Sequence, residues 1–328
     1  MAEKFALQIT NLSVKYKVYE GTLQVIPGLD LFVREGERVG LIGETGCGKS
    51  SILKAVASVL PVPPAIVSSD AIEVFGNPIG GRVGLSILRK NVSMVFQDPS
   101  TSLNPTLKIS TQMMDVLKAR FPGKRKSEYR KMMRDGLEAV SMPAPERVLG
   151  SYPIQLSGGM RQRVCIAMAL IKDPVLIIAD EPTTALDVTI EEQILDLLDY
   201  LVREKNKSLI LVSHALGAVR KLTDRVYVMY AGNIVEFGNT ADIFSNPKHP
   251  YTIGLIAASP KLTGEGLADG IAGDIISYIN VPDGCRFANR CPRVSEKCQT
   301  STPVLENLSP DGSWQVSCHN HNIEEAAL

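Results

Sequence analysis

The segment Gly43-Glu44-Thr45-Gly46-Cys47-Gly48-Lys49-Ser50 obliges the chain to make a strand, a tight turn and a helix, in that order. The apolar run Val39-Gly40-Leu41-Ile42 before it suits a buried strand. Ile52, Leu53, Val56, Val59 and Leu60 after it recur at helical spacing, which predicts a helix over 51–60. Glycines at such a turn allow positive φ and close approach to a ligand. Backbone amides can then converge on phosphate oxygens at the helix N-terminus, where the peptide dipoles sum to about half a positive charge. In the pattern G-x-x-x-x-G-K-[ST], Lys49 is expected to reach the β and γ phosphates and the Ser50 hydroxyl to ligate magnesium, with Ser51 beginning the helix beside them. A Gly-rich turn with a surface lysine is the plain alternative for this segment taken alone.

A second apolar run, Val175-Leu176-Ile177-Ile178-Ala179, delivers Asp180 and Glu181 at its C-terminal end. Ligands of open α/β sheets bind at that edge. An Asp beside phosphate-bound magnesium offsets developing charge, and a neighbouring carboxylate can orient or deprotonate the attacking water. Asp-Glu-Pro alone would read as capping acids before a helix starting near Pro182. The phosphate loop must emerge at the same sheet edge, and that favours the catalytic reading.

The chain resembles the nucleotide-binding subunits of ATP-binding cassette transporters from about Leu7 to Gly238. Leu156-Ser157-Gly158-Gly159-Met160 matches that family's signature segment, which in the family opens a helix and contacts the γ-phosphate held by a partner subunit. The resemblance implies a head-to-tail dimer with ATP between subunits. It assigns Gln97, after Val92-Ser93-Met94-Val95-Phe96, to magnesium and the attacking water. His214, after Leu209-Ile210-Leu211-Val212-Ser213, is assigned to the γ-phosphate and Asp187 to the loop crossing the dimer. Magnesium is then held by Ser50, Gln97 and Asp180, with Glu181, His214 and Gln97 catalytic. Tyr16 stands where the family stacks an aromatic ring on adenine, with Tyr19 close by as a rival. Ala215 departs from the acidic residue usual after the histidine, and Cys47 stands where serine is common. The helix N-terminus is expected to lower the Cys47 thiol pKa, with alkylation blocking ATP binding and ATP protecting.

The fold implied is α/β: a P-loop NTPase cassette with a mostly parallel sheet, antiparallel N-terminal strands and a helical subdomain, then a loop-rich, Cys-containing C-terminal extension. The cassette is expected over 1–240, its helical subdomain over about 100–165, and the extension over 241–328. Ile190, Ile194, Leu197 and Leu201 are expected to form one core stripe. No apolar run approaches the ~18 residues of a membrane span, and the N-terminus lacks a signal-peptide layout. A peripheral position on the cytoplasmic face of the membrane is expected. Basic and acidic residues balance at 35 each, which argues against a general nucleic-acid binder. The basic stretch from Lys124 to Arg134 alternates with Met133, Leu137 and Val140 and reads as a solvated helix face.

His249-Pro250-Tyr251-Thr252, with Gly254-Leu255 and Ala258-Ser259-Pro260, resembles the extension of oligopeptide, dipeptide and nickel importers. In that group two different ATPases usually pair, and Leu-Ser-Gly-Gly-Met-Arg-Gln-Arg resembles the first of the two. The partners implied are a second homologous ATPase, two transmembrane permease subunits and a solute-binding protein, with peptides as cargo. Oligosaccharide or nickel cargo, or a soluble cassette ATPase without transport, are the alternatives. Cys285, Cys291, Cys298 and Cys318 are separated by five, six and nineteen residues among Gly284, Pro292 and Pro303. Clustered cysteines in a reducing compartment point to metal. Four thiolates serve a [4Fe-4S] cluster or Zn2+ equally well on chemistry, with His319 and His321 as substitute ligands. No paired C-x-x-C pattern is present, and the tail resembles that of peptide-importer ATPases of which some hold a [4Fe-4S] cluster. The cluster is therefore preferred.

Overall fold

The computed structural model describes residues 3–183, 188–258 and 270–322. The chain divides into two compact units: one comprises the residues up to Leu7, Val33–Glu37 and Glu73–Ile210, the other Gln8–Phe32, Arg38–Ile72 and the chain from Leu211 onward.

In the second unit the strand Arg38–Ile42 runs parallel to Arg225–Tyr230, with Val39 opposite Arg225 and Ile42 opposite Val228. Arg225–Tyr230 is buried throughout, as expected of a strand covered on both faces. It turns back antiparallel into Asn233–Asn239, which pairs in turn with the short strand Gln315–Val316 of the extension. The extension is thus bonded into the sheet. Gly21–Ile26, Ser13–Val18 and Ala65–Ser68 make the expected antiparallel N-terminal sheet. Phe32 stands edge-on to Tyr227 and Phe237, which stack at 5.0 Å, and the Arg225 guanidinium lies 4.2 Å over Phe32. A second aromatic group, Tyr230, Tyr251 and Phe287, ties the extension to the central strand at ring separations of 4.7 to 5.4 Å.

The first unit carries Val92–Val95 parallel to Leu176–Asp180, with Leu176 opposite Val92 and Ala179 opposite Val95. Ser208–Val212 continues this pattern, the Ser208 amide donating to Val175 O at 2.9 Å. Helices Ile109–Arg120, Lys126–Ala139, Pro145–Gly150 and Gly158–Leu170 pack together around Met113, Leu117, Met133, Leu137, Val164 and Ile166, all buried. Burying each such side chain contributes about 1.5–3 kcal/mol. Gly136 permits a close helix approach, since a Cβ there would lie 2.3 Å from Ile171 Cγ2. The basic helix face is solvated as read from sequence: Lys124 pairs with Glu128, and Arg130 with Glu146.

Two expectations are corrected. The helix after the phosphate loop spans Lys49–Val56 and stops short of Leu60, because Ser58 turns into the left-handed region and Pro61, Pro63 and Pro64 follow. The core stripe of Val188–Glu204 is made by Ile194, Leu195, Leu198, Leu201 and Val202, while Ile190 and Leu197 are half-buried.

Candidate nucleotide site and cysteine-bearing extension

The phosphate loop leaves the buried strand Arg38–Ile42 at Gly43, whose φ is +150°. A Cβ at Gly43 would stand 2.2 Å from Met229 O, so only glycine fits. Gly48, at φ 106°, caps the following helix, and a Cβ there would meet Ile26 Cδ1 at 2.6 Å. Lys49 is 5% exposed. Its ammonium donates to Gly43 O at 2.6 Å and Glu44 O at 2.9 Å, and approaches Cys47 Sγ at 3.6 Å. The charge is therefore stored inside the loop, solvated by carbonyls. Thr45 and Gly46 are exposed and Ser50 is half-buried. Tyr16 is placed beside the helix, its hydroxyl 3.0 Å from Ser51 Oγ, while Tyr19 is fully exposed.

Cys47 corrects the sequence reading. It is 1% exposed, and burial pushes its thiol above the ordinary value, outweighing the downward pull of Lys49. Desolvation exceeds the helix-terminus effect here, so alkylation of the folded chain is not the ready reaction expected.

Extension residues hold the loop from its other side. The Glu44 amide donates to the Tyr251 hydroxyl at 2.8 Å, and the Tyr278 hydroxyl donates to Gly46 O at 2.8 Å. Arg290 binds both oxygens of the Glu44 carboxylate at 2.7 and 2.9 Å, and that hydrogen-bonded pair raises the guanidinium pKa. The Gly232 amide donates to Cys47 O at 2.9 Å from a two-residue turn in which Ala231 and Gly232 both have positive φ. Arg286 bonds the carbonyl of Ala231 in the same turn. Tyr251 falls in a family-like motif, but no sequence pattern marks Tyr278, Arg286 or Arg290 as loop contacts. A hint was their side-chain type: large, hydrogen-bonding groups in a loop-rich segment.

Tyr251 is positioned by its own helix start. His249, 1% exposed, caps Pro250–Ala257 by accepting the Tyr251 amide on Nδ1 at 3.0 Å. Burial pushes its pKa down to about 3, which keeps the imidazole neutral. The His249 and Lys248 amides both donate to the buried Glu236 carboxylate at 2.9 Å, and Trp314 Nε1 donates to it at 3.1 Å.

In the first unit, Asp180 ends its strand 4% exposed, and Glu181 follows in the left-handed region at φ 47°. A non-glycine residue held there stores about 1–3 kcal/mol of strain, the pattern of an imposed functional geometry. Gln97 Nε2 donates to Glu181 Oε2 at 2.8 Å, so the two predicted water-handling side chains meet directly. In the signature segment Leu156 is buried and Ser157 caps Gly158–Leu170, accepting the Met160 amide at 3.3 Å. A Cβ on Gly159 would meet Ile190 Cγ2 at 2.9 Å, while Gly158 and Met160 are half-buried. In the second unit His214 is exposed, and Ser213 Oγ accepts the Ala215 amide at 3.0 Å, a bond of the kind an acidic cap would make. Ala185, Leu186 and Asp187 lie outside the described residues.

Cys285, Cys291, Cys298 and Cys318 gather in one neighbourhood. The Cys285 amide donates to Cys298 O at 2.8 Å, and Asn320 touches both Cys318 Sγ and Cys298 Sγ, at 3.4 and 3.7 Å. Burial pushes the Cys318 thiol up to about 11, against the pull of the Asn320 amide that donates to it. Among the described residues no three His, Cys, Asp or Glu side chains are disposed to hold one metal ion. Nε2 of His319 lies 3.0 Å from Ser301 O, and Nδ1 of His321 lies 2.8 Å from Cys318 O.

Comparison with known proteins places this geometry. The family described as ABC transporter matches residues 26–184, and that described as oligopeptide/dipeptide transporter, C-terminal region, matches residues 235–298. The oligopeptide transport ATP-binding protein OppD of Salmonella typhimurium is 41% identical over 93% of this chain and 91% of its own length. The dipeptide transport ATP-binding protein DppD of Bacillus subtilis is 42% identical over 98% of this chain and 97% of its own. A solved dimer of the ATP-binding cassette MJ0796, in a post-hydrolysis state with ADP and Pi, superposes with a TM-score of 0.61 at 28% identity, covering 71% of this chain and 98% of that one. The chain belongs to the ATP-binding cassette transporter ATPases, in the branch that carries the oligopeptide/dipeptide transporter C-terminal region.

Proposed function

We propose that this chain is the ATP-hydrolysing subunit of a peptide importer, working as one half of a head-to-tail heterodimer with a second, homologous ATPase. Two transmembrane permease subunits and a solute-binding protein complete the assembly, with this chain peripheral on the cytoplasmic face. No described helix is long and apolar enough to cross a membrane, which agrees with a peripheral role. The observation that carries the reading is the phosphate loop with Lys49 buried on its own carbonyls, ready to exchange them for phosphate oxygens. Relatives named for oligopeptide and dipeptide transport supply the cargo class.

Each residue then has a task. The amides of residues 43–51, apart from that of Glu44, which the Tyr251 hydroxyl accepts, and the Lys49 ammonium grip the phosphates, and Tyr16 offers a ring to the base. The Ser50 hydroxyl, Asp180 carboxylate and Gln97 amide oxygen are hard donors of the kind magnesium takes, and bound magnesium would offset phosphate charge. Glu181 accepts the proton of the attacking water, and its bond to Gln97 orients it until water arrives. His214 contacts the γ-phosphate. Leu156 to Met160 faces the nucleotide of the partner subunit, with Asp187 in the loop that crosses the dimer.

Cys285, Cys291, Cys298 and Cys318 are the residues that would hold a [4Fe-4S] cluster, a reading that rests on the tail's resemblance to that of peptide-importer ATPases, since among the described residues no group is disposed to hold a metal ion. Anaerobic purification should give a brown protein absorbing near ~400 nm with iron and sulfide, whereas a colourless protein with stoichiometric zinc rejects the cluster. The transport reading is tested by copurification with permease subunits and by ATP-dependent peptide uptake into vesicles. Failure of both in an assembly that hydrolyses ATP rejects it.

A further inference from the structure

Glu44 is an awkward residue for a phosphate loop. It places a carboxylate in the turn whose amides must receive a polyanion, and repulsion between like charges there opposes binding. The structure shows how this is managed. Arg290 meets the Glu44 carboxylate through a two-pronged pair at 2.7 and 2.9 Å, with the Arg290 side chain only 4% exposed. Nε of Arg290 donates to Ala272 O at 2.9 Å, Nη2 also to Ile271 O at 2.8 Å, and Nη1 also to the Tyr230 hydroxyl at 3.4 Å. Each N–H donor of the guanidinium thus has an acceptor, and a lysine could not reproduce this fork.

Arg290 is not a loop neighbour in sequence; it is carried in by the extension. It ends the short turn Ala288–Arg290, which hangs between two of the clustered cysteines. The Ala288 amide donates to Cys285 O at 3.0 Å, and the Cys291 amide to Ala288 O at 3.3 Å. Tyr251 and Tyr278 secure the same loop at the Glu44 amide and the Gly46 carbonyl.

We propose that Arg290 is a positioning residue for the nucleotide: it neutralises Glu44 and pins the first turn of the phosphate loop, so that the extension sets nucleotide affinity. This rests on the reading of residues 43–50 as the nucleotide-phosphate site. Two effects are combined, electrostatic and structural, and the first has a signature the second lacks. Removing Arg290 leaves an unpaired carboxylate on the phosphate loop; removing the carboxylate as well abolishes the repulsion.

The test is the dissociation constant of magnesium and a non-hydrolysable ATP analogue, measured by calorimetry on the full-length chain. Arg290→Gln is expected to weaken binding about tenfold. Glu44→Gln in the same background is expected to recover affinity to within about threefold of wild type, and Glu44→Gln alone to bind at least as well as wild type. Arg290→Lys, which keeps charge and loses the fork, should fall between. The proposal is overturned if Arg290→Gln binds within twofold of wild type, if Glu44→Gln does not rescue it, or if Glu44→Gln alone loses tenfold. A wild-type chain that binds no analogue overturns the phosphate-loop reading itself, and this proposal with it.

Discussion

Lowering the pH from 7 to 5 should cost this chain about 2 kcal/mol of stability through a single side chain, His249. Its imidazole is buried as a neutral helix cap, and its pKa falls from an ordinary 6.5 to about 3. Between those values the unfolded chain binds a proton that the folded chain does not. Stability from this group is therefore complete above the unfolded value and drains away as pH falls toward the folded one. Integrating the unfolded titration from pH 7 to 5 gives about 1.4 proton-units, which at about 1.4 kcal/mol each is the figure above. Glu236 lies against the same helix start and is shifted the opposite way, raised by burial, so it partly offsets the loss at lower pH. His249→Asn separates the two, since asparagine still caps the Tyr251 amide but does not titrate. Urea unfolding at both pH values, followed by fluorescence of Trp314, reports the right place: Trp314 is the only tryptophan and bonds Glu236. The variant should lose about 2 kcal/mol less than wild type over this interval. Equal losses in the two proteins would refute the buried neutral histidine.

Other consequences can be measured directly. Glu181→Gln should retain ATP binding, lower the hydrolysis rate by about a hundredfold or more, and accumulate a nucleotide-bound dimer on size exclusion; normal turnover would remove Glu181 as the base. Cys47 should resist iodoacetamide in the folded chain without nucleotide and react after unfolding, and prompt labelling of folded protein would contradict its burial. Gly43→Ala should destabilise the chain by about 2 kcal/mol or more and abolish nucleotide binding, because its methyl has no room beside Met229 O. Unchanged melting and affinity in that variant would mean the loop can take another path.

Where a function depends on a short run of residues, the sequence exposed it well. The order of strand, turn and helix around Gly43 to Ser50, the strand delivering Asp180, and the helix opening at Gly158 are all local patterns that the fold keeps. Long-range partners were hidden. Tyr251 finds its target 207 residues away and Arg290 its target 246 away, and no periodicity encodes such pairs. The Cys47 reading failed for a related reason: a helix terminus is visible in sequence, whereas the burial that overrides it depends on tertiary packing. Helix length after the loop was overstated because Val59 and Leu60 keep helical spacing although Ser58 has already left helical geometry.

The two-residue turn at Ala231 and Gly232 has a further consequence. Hairpin tips are ordinarily permissive sites, where natural variation and engineers add residues freely. Here the Gly232 amide grips Cys47 O, and a methyl on Gly232 would strike Val25 O at 1.9 Å. Lengthening the tip by even one residue would unseat the loop it touches. Epitope tags or permuted termini belong elsewhere on this chain, and relatives that share the contact should hold this hairpin at constant length while other connections drift.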